Sequence, residues 1–271
     1  MSGAAYFAAS AAYKSGAGIV RIFTHKENYV PVASKLPEAV YSLYDDGEEV
    51  DALLGRLDRE LLSVDCVVIG CGLGKGRIAR EIVRHVLIAS RSPTIIDADA
   101  LNIIAEDDLW RLLSDEARKR TVITPHMGEM SRICGAEIGD ILDSPVKYAE
   151  SLASKRGVIC LLKDHKTVIT DGQRTLLNQS GNPGMATAGM GDVLSGILGA
   201  LLSRKTMSPY ADLGRTGENE LLYRVAVGAY IHGCAGDKAR EKVGEYSLVA
   251  SDLISEISSV ICDFCANNTE K

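Results

Sequence analysis

Short β-rich runs alternate with helix-forming stretches through the first two thirds of this 271-residue chain, and then the strands stop. The pattern predicts strands over residues 19–24, 40–43, 66–69, 94–96, 121–123, 158–162 and 167–170. Between them, helical spacing predicts helices over 4–14, 50–62, 78–89, 109–116 and 146–155. Strands that alternate with helices build βαβ units around a mainly parallel sheet, so the expected class is α/β. Only 5% of the chain is aromatic, and the apolar mass is mostly Ala, Val, Ile and Leu, which suits parallel strands covered on both faces. After Asp192, three helices are expected near 192–203, 218–240 and 250–262. The polar stretch 204–219, with Pro209, Gly214 and Gly217, reads as a surface loop between helices, which makes residues 1–271 a single domain. The first helix follows Met1 and Ser2 directly, with Ser2 as its expected N-cap.

Charge narrows the functional classes. The formal net charge is −6, with acids and bases mixed and no basic stripe to meet a phosphate backbone, so nucleic acid is not expected as a partner. No apolar run is long enough to span a bilayer, and the N-terminus lacks the features of a secretory signal, so a cytoplasmic protein without a membrane partner is expected. Seven cysteines at 66, 71, 134, 160, 234, 262 and 265 are scattered and odd in number. They read as reduced, mostly buried thiols, and Cys262 and Cys265 have no second pair with which to hold zinc.

The strongest chemical signal runs from Asn178 through Gly181, Asn182, Pro183, Gly184, Thr187 and Gly189 to Gly191-Asp192, and continues into an apolar helix. Gly189 and Gly191 fall where that helix opens, so unpaired N–H groups and the helix dipole converge on one spot suited to phosphate or a developing oxyanion. Asp192 there can accept a proton from a hydroxyl held beside the phosphate. The plainer alternative makes Asp192 a first-turn acid and the glycines a loose loop. Gly70-Cys71-Gly72-Leu73-Gly74 is a second glycine turn, after a strand, on the sheet edge where α/β proteins bind ligands. Lys75 stands where a dinucleotide fingerprint needs its third glycine, which argues against an ordinary Rossmann dehydrogenase. No Gly-x-x-x-x-Gly-Lys-Ser/Thr segment is present, so any nucleotide is held without a P-loop. Asp97 and Asp99 follow a strand, Asp99 as the expected N-cap of a helix over 100–105 and Asp97 nearer the sheet edge.

These blocks, in this order, resemble the NAD(P)H-hydrate dehydratases of the ribokinase-like superfamily. The resemblance rests on Ser2-Gly3-Ala4, Ser15-Gly16-Ala17-Gly18, the turn 70–74, the block 96–102, Thr124 to Glu129, Lys163 to Thr167 and the Gly189–Asp192 signature. It implies a three-layer α/β/α fold and a nucleotide-dependent lyase that returns hydrated NADH or NADPH to the normal cofactor, with ADP or ATP as cosubstrate and Mg2+ as cofactor. It further implies Asp192 as the catalytic carboxylate and Lys163, Asp164, His165, Lys166, Thr167, Gly189 and Gly191 at the nucleotide. Ala4, Gly74, His126 and Asp192 are implied at the hydrated substrate, and Glu129 at the metal. By its position alone, Glu129 serves equally well as an acid complementing a helix N-terminus, and Lys163 as a solvent-facing strand end. Family members carry a strand and glycine turn ahead of the Ser2-Gly3-Ala4 block, often with an epimerase domain further upstream. Here the first strand is expected to be absent from the sheet. Asp164 replaces the usual glycine, and Met190 the usual Thr or Ser. Assembly as a homo-oligomer, a tetramer, is implied as well. A ribokinase-like kinase of a small hydroxymethyl vitamin precursor, and a non-catalytic nucleotide-binding protein, remain as alternatives.

Overall fold

The computed structural model describes residues 1–204 and 220–269. The expected loop 204–219 therefore lies, from residue 205 onward, outside the described residues. A six-stranded sheet forms the centre, in the order β3 (Val67–Ile69), β4 (Thr94–Ile96), β5 (Thr121–Ile123), β6 (Ile159–Leu162), β7 (Thr167–Thr170) and β8 (Thr175–Asn178). The first four pair in parallel, and β6–β7 and β7–β8 pair antiparallel. A separate parallel pair, β1 (Arg21–His25) with β2 (Val40–Tyr44), makes a second sheet. The first described element is helix α1 (Ser2–Lys14), and among the described residues no strand precedes β1 and no ladder joins β1–β2 to the six-stranded sheet.

Side chains alternate across a strand, so neighbours in sequence face opposite layers. On one face Ile96, Ile123, Cys160 and Leu162 join a core built with α3 (Val50–Leu61), α4 (Arg77–Ala89), α5 (Ala98–Glu106) and α9 (Pro145–Arg156). Helix α3 contributes Leu53, Leu57 and Leu61, four apart and on one stripe. Each buried leucine there is worth roughly 1.5–3 kcal/mol. On the other face Ile95, Val122, Ile159 and Leu161 meet Leu194, Leu198 and Leu202 of α10 (Met190–Leu202) and Leu222, Val225 and Ala229 of α11 (Glu220–Val243). Helix α12 (Ala250–Thr269) and α1 close that layer over Val193, Ile197 and Ile231. The result is the expected α/β/α sandwich. The short helices α2 (Tyr29–Ala33), α6 (Asp115–Lys119), α7 (Met127–Cys134) and α8 (Ile138–Asp143) fill the connections.

Three local expectations need correction. Ser2 is the first residue of α1 and Met1 its cap, without a side-chain bond, while the N-terminal ammonium donates to the Gly72 carbonyl at 2.7 Å. The predicted helix 109–116 is a 3-10 turn over Leu109–Leu112, followed by α6, whose N-cap Ser114 accepts from the Ala117 amide. The seven cysteines form no disulfide, but only Cys160 is fully buried.

Helices α1 and α10 approach so closely that a Cβ on Gly196 would lie 2.0 Å from the Ala8 carbonyl oxygen. This contact seats the second turn of α10 against the N-terminal helix. Gly196→Ala should therefore destabilise the protein by about 1–3 kcal/mol, as overpacking does, despite alanine's better helix propensity. Gly55 in α3 has no atom within 4 Å of its missing Cβ. Gly55→Ala should instead stabilise by about 0.5–1 kcal/mol. Chemical denaturation of both variants checks the opposite signs, and a Gly196→Ala protein as stable as wild type would refute the contact.

Candidate active site

The carboxyl ends of β3, β4, β5 and β6 deliver the loops that carry the site. At the end of β4, the Asp97 side chain is 1% exposed as a residue and fully engaged. Its Oδ1 accepts from Lys163 Nζ at 2.7 Å and its Oδ2 from Ser195 Oγ at 2.8 Å, with Cys71 Sγ at 4.0 Å. One carboxylate thus joins the loop after β3, the end of β6 and the second turn of α10. The residue after it, Ala98, adopts φ +47°, a conformation that costs a non-glycine residue roughly 1–3 kcal/mol and is tolerated where surroundings enforce it. Asp97, not Asp99, is the N-cap position of α5, and it makes no side-chain cap bond. Asp99 lies in the first turn, where its Oδ2 accepts from the Gly74 amide at 2.7 Å. Its short side chain is more useful there, locking the glycine turn to α5.

Lys163 ends β6 because its amide donates to the Pro125 carbonyl at 2.8 Å, in an isolated bridge beside His126. Its side chain turns inward, with the ammonium also 3.8 Å from Glu129 Oε2. Burial alone would lower its pKa, but Asp97 and Glu129 overcome this and hold the ammonium above its usual value. A Cβ on Gly191 would come within 3.5 Å of that nitrogen, so the cation sits at the glycine turn that opens α10. Gly189, at φ +92°, is the N-cap of α10, and Asp192 lies in the first turn. Burial pushes the Asp192 carboxyl up, and Asp97 and Asp99 add to the rise, while the Cys71 thiol and Lys163 pull the other way. The neighbouring Cys71 thiol is driven well above its normal range by burial and by Asp97 and Asp192, so it is a hydrogen-bonding thiol and not a thiolate.

At the end of β5, His126 and Glu129 form a reciprocal capping box on α7. Glu129 Oε2 accepts from the His126 amide at 2.9 Å, and His126 Nδ1 accepts from the Gly128 amide at 3.0 Å. With Nδ1 used as an acceptor, the neutral ring carries its proton on Nε2. Burial, together with Lys163 and Arg132, lowers the His126 pKa and favours that neutral form. Glu129 is buried and raised by desolvation, with Lys163 and the His126 amide opposing. The sequence left it open whether Glu129 caps a helix or organises a metal. The structure displays the capping geometry, and among the described residues no three His, Cys, Asp or Glu side chains converge on a metal position.

The remaining candidates divide into two groups. Ala4, at the start of α1, touches the turn after β3, where a Cβ on Gly72 would lie 2.9 Å from the Ala4 methyl. Asp164, His165, Lys166 and Thr167 lie on the hairpin between β6 and β7, and three of them bond within it. His165 Nδ1 pairs with Asp164 Oδ2 at 2.9 Å, and Thr167 Oγ1 donates to the Asp164 carbonyl at 3.2 Å. Of the five hairpin candidates, Lys163 is the one with its head group beside Gly191 and Asp97. Ser195 and Cys71 were not singled out. Ser195 carried a usable signal, since it stands three residues after Asp192 and so on the same helix face.

The family model for NAD(P)H-hydrate dehydratase matches residues 1–259. The chain is 32% identical over 261 residues to the ADP-dependent (S)-NAD(P)H-hydrate dehydratase of Neisseria meningitidis, covering 95% of this chain and 79% of that protein. It spans about half the length of other curated relatives, such as the bifunctional NAD(P)H-hydrate repair enzyme Nnr of Escherichia coli, with 33% identity over 96% of this chain and 45% of that one. A ribokinase-like superfamily protein of Enterococcus faecalis superposes with a TM-score of 0.78 and 25% identity, over 97% of this chain and 83% of its own. The ADP/ATP-dependent NAD(P)H-hydrate dehydratase of Bacillus subtilis, co-crystallized with ATP/Mg2+, has the same fold at a TM-score of 0.74 and 24% identity, over 97% and 86% of the two chains. The chain belongs to the NAD(P)H-hydrate dehydratase family and has its ribokinase-like fold.

Proposed function

We propose that this chain catalyses the ADP- or ATP-dependent dehydration of the S form of hydrated NADH and NADPH. The observation that supports this best is Asp192, a half-buried carboxyl of raised pKa in the first turn of α10, directly behind Gly189 and Gly191 and beside the Lys163 cation. Asp192 takes the proton from the hydrate's hydroxyl as that oxygen attacks the terminal phosphorus of the nucleotide. The N–H groups opening α10 and the Lys163 ammonium receive the phosphoryl charge, preorganised in a site partly screened from water. The C–O bond then breaks as phosphate leaves, a proton departs from the adjacent ring carbon, and the double bond returns. His126 is assigned to the substrate as a hydrogen-bond donor through Nε2–H, whose nitrogen lies 3.5 Å from Glu129 Oε1, and its ring is held by the backbone of α7.

Mg2+ fits this arrangement as an ion carried by the nucleotide phosphates, since Mg2+ keeps several waters and takes only one or two carboxylates from a protein. Glu129 is the residue that would supply one, and the ion, when bound, draws charge from the phosphoryl oxygens. The Asp164–Thr167 hairpin and Lys163 are assigned to the nucleotide, and Ala4, Gly74 and His126 to the hydrate. We further take residues 1–271 as one cytoplasmic dehydratase domain, and its assembly as a homotetramer rests on the family resemblance. No described helix is long and apolar enough to cross a membrane.

Turnover of chemically prepared NADH hydrate, followed by the return of dihydronicotinamide absorbance, tests the proposal. Asp192→Asn should lower kcat by about 10²–10⁴-fold, the usual contribution of a general base, while ATP binding persists. Wild type that binds ATP and leaves the hydrate unchanged would refute the dehydratase reading.

The same residue predicts a pH effect of known sign. Its pKa is raised in the fold above the ordinary 3.8, so its ionised form is disfavoured there. The wild type therefore loses stability as pH rises through the raised value, and Asp192→Asn does not. Thermal midpoints of the two proteins should converge at low pH, with the variant the more stable near neutrality. The acid limb of kcat/KM should also lie above the ordinary aspartate range. A variant less stable than wild type at neutral pH would contradict the burial argument.

A further inference from the structure

The glycine-rich segment that leads into Asp192 has a few internal bonds, among them Ser180 Oγ to Asn178 Oδ1 at 2.8 Å and the Met185 amide to the Asn182 carbonyl at 3.1 Å, and is otherwise held from outside. Between Asn178 and Met190 its only regular element is a single 3-10 turn, Pro183–Met185. Its first half is anchored to one face of α11, on residues spaced three and four apart. Asn178 Nδ2 donates to the Ala229 carbonyl at 3.3 Å, and Ser180 Oγ to the Tyr230 carbonyl at 3.2 Å. Gly233 lets the loop lie flat against the helix, since a Cβ there would fall 2.1 Å from Ser180 Oγ. Asp237 then takes two bonds from the loop, from the Gly181 amide to Oδ2 and from Asn182 Nδ2 to Oδ1, each at 2.9 Å. At the far end of the segment, His232 Nε2 lies 3.0 Å from the Met190 carbonyl, in the turn that carries Gly191 and Asp192.

Asn182 reveals that this fixation is enforced. Its amide is held by Asp237, and its carbonyl oxygen Oδ1 is buried without a hydrogen-bond partner. A buried acceptor left unmade is unfavourable and needs a compensating reason. Asp237 bonds to Gly181 and Asn182, and no described hydrogen bond or ion pair links it to Asp192, Lys163 or His126. Its role is therefore exerted through the loop.

We propose that Asp237 is a positioning residue for phosphoryl transfer, which fixes the 181–191 segment so that Gly189, Gly191 and Asp192 stand ready before the nucleotide arrives. The inference rests on the dehydratase reading for its kinetic consequence, but not for its structural one. A carboxylate suits the position because it accepts twice and donates nothing. Asparagine at 237 would present an N–H2 to one of two donors.

The test compares wild type, Asp237→Asn and the exchange variant Asn182→Asp/Asp237→Asn. The exchange variant restores a donor–acceptor pair with the roles reversed. Each is measured for kcat and for KM of ATP with Mg2+ and NADH hydrate, for amide hydrogen exchange over 181–191 without ligand, and for thermal midpoint. Displacement of reacting groups by about an ångström costs on the order of 10²-fold. The expected result for Asp237→Asn is a kcat loss of that order with a much smaller change in KM for ATP. Exchange over 181–191 should be faster while exchange in β3–β6 is unchanged, and the exchange variant should recover most of kcat. If Asp237→Asn does not fold, Asn182→Ala removes the same bond from the loop side and is read in the same way. Unchanged exchange over 181–191, or a raised KM at constant kcat, overturns the proposal. If wild type itself leaves the hydrate untouched, the dehydratase reading falls, and the hydrogen-exchange comparison alone still decides whether Asp237 orders the loop.

Discussion

A single buried carboxylate ties the site together. Asp97 bonds to Lys163 and Ser195 at once, and these three residues come from β4, β6 and α10. An unpaired charge at 1% exposure would be untenable, and an unpaired ammonium beside it equally so. Each therefore requires the other, and the requirement brings the helix that carries Asp192 to the strand ends that carry the cation. Helix α1 also passes close to α10, with Phe7 against Gly189 and Ala8 against Gly196, so the first two turns of α10 are held by the N-terminal helix as well as by Asp97. Placement of the reacting carboxyl is thus a by-product of satisfying buried charge and packing density.

The cluster holds more charge than stability alone would favour. Asp97, Glu129, Asp192 and Lys163 lie close together, and burial raises the carboxyls of Glu129 and Asp192 while the Lys163 cation opposes the rise in both. Burial also drives His232, beneath the turn, down to about 4, so it remains neutral over the physiological range. A fold selected only for stability would replace such groups with apolar side chains of similar size. Charged groups buried together around a glycine turn are the pattern that functional sites share.

Much of the layer order was legible from periodicity, because strands buried on both faces carry a strong local signal. Three strands, Thr94–Ile96, Thr121–Ile123 and Thr167–Thr170, have the predicted bounds. Strand β8, Thr175–Asn178, was missed, since an edge strand with an exposed Leu177 is defined by its pairing to β7 and not by its own composition. The cap of α5 was assigned to Asp99 because propensity favours Asp before a helix, whereas the chain spends that side chain on Gly74. The site showed the same division. The Gly189–Asp192 motif lies within four consecutive residues and is readable. The bond between Ser195 and Asp97 spans 98 positions and exists only once the sheet has formed. Asp237 reaches its loop across 55 residues and gave no local sign of doing so.

The division of the strands into a pair and a set of six bears on how the molecule comes apart. No ladder of backbone hydrogen bonds joins β1–β2 to β3–β8 among the described residues, so the pair is retained by side-chain packing of Ile22 and Val32 on one side and Phe23 and Tyr44 on the other. Packing of that kind yields as a block, while a continuous ladder must break rung by rung. Regions open at free energies below that of global unfolding where few backbone bonds and buried contacts tie them to the rest of the molecule. Asp97 and Lys163 stand at the ends of β4 and β6 and Asp192 on α10, so neither strand of the pair carries a residue proposed for the reaction, and the loss of one arrangement need not be the loss of the other.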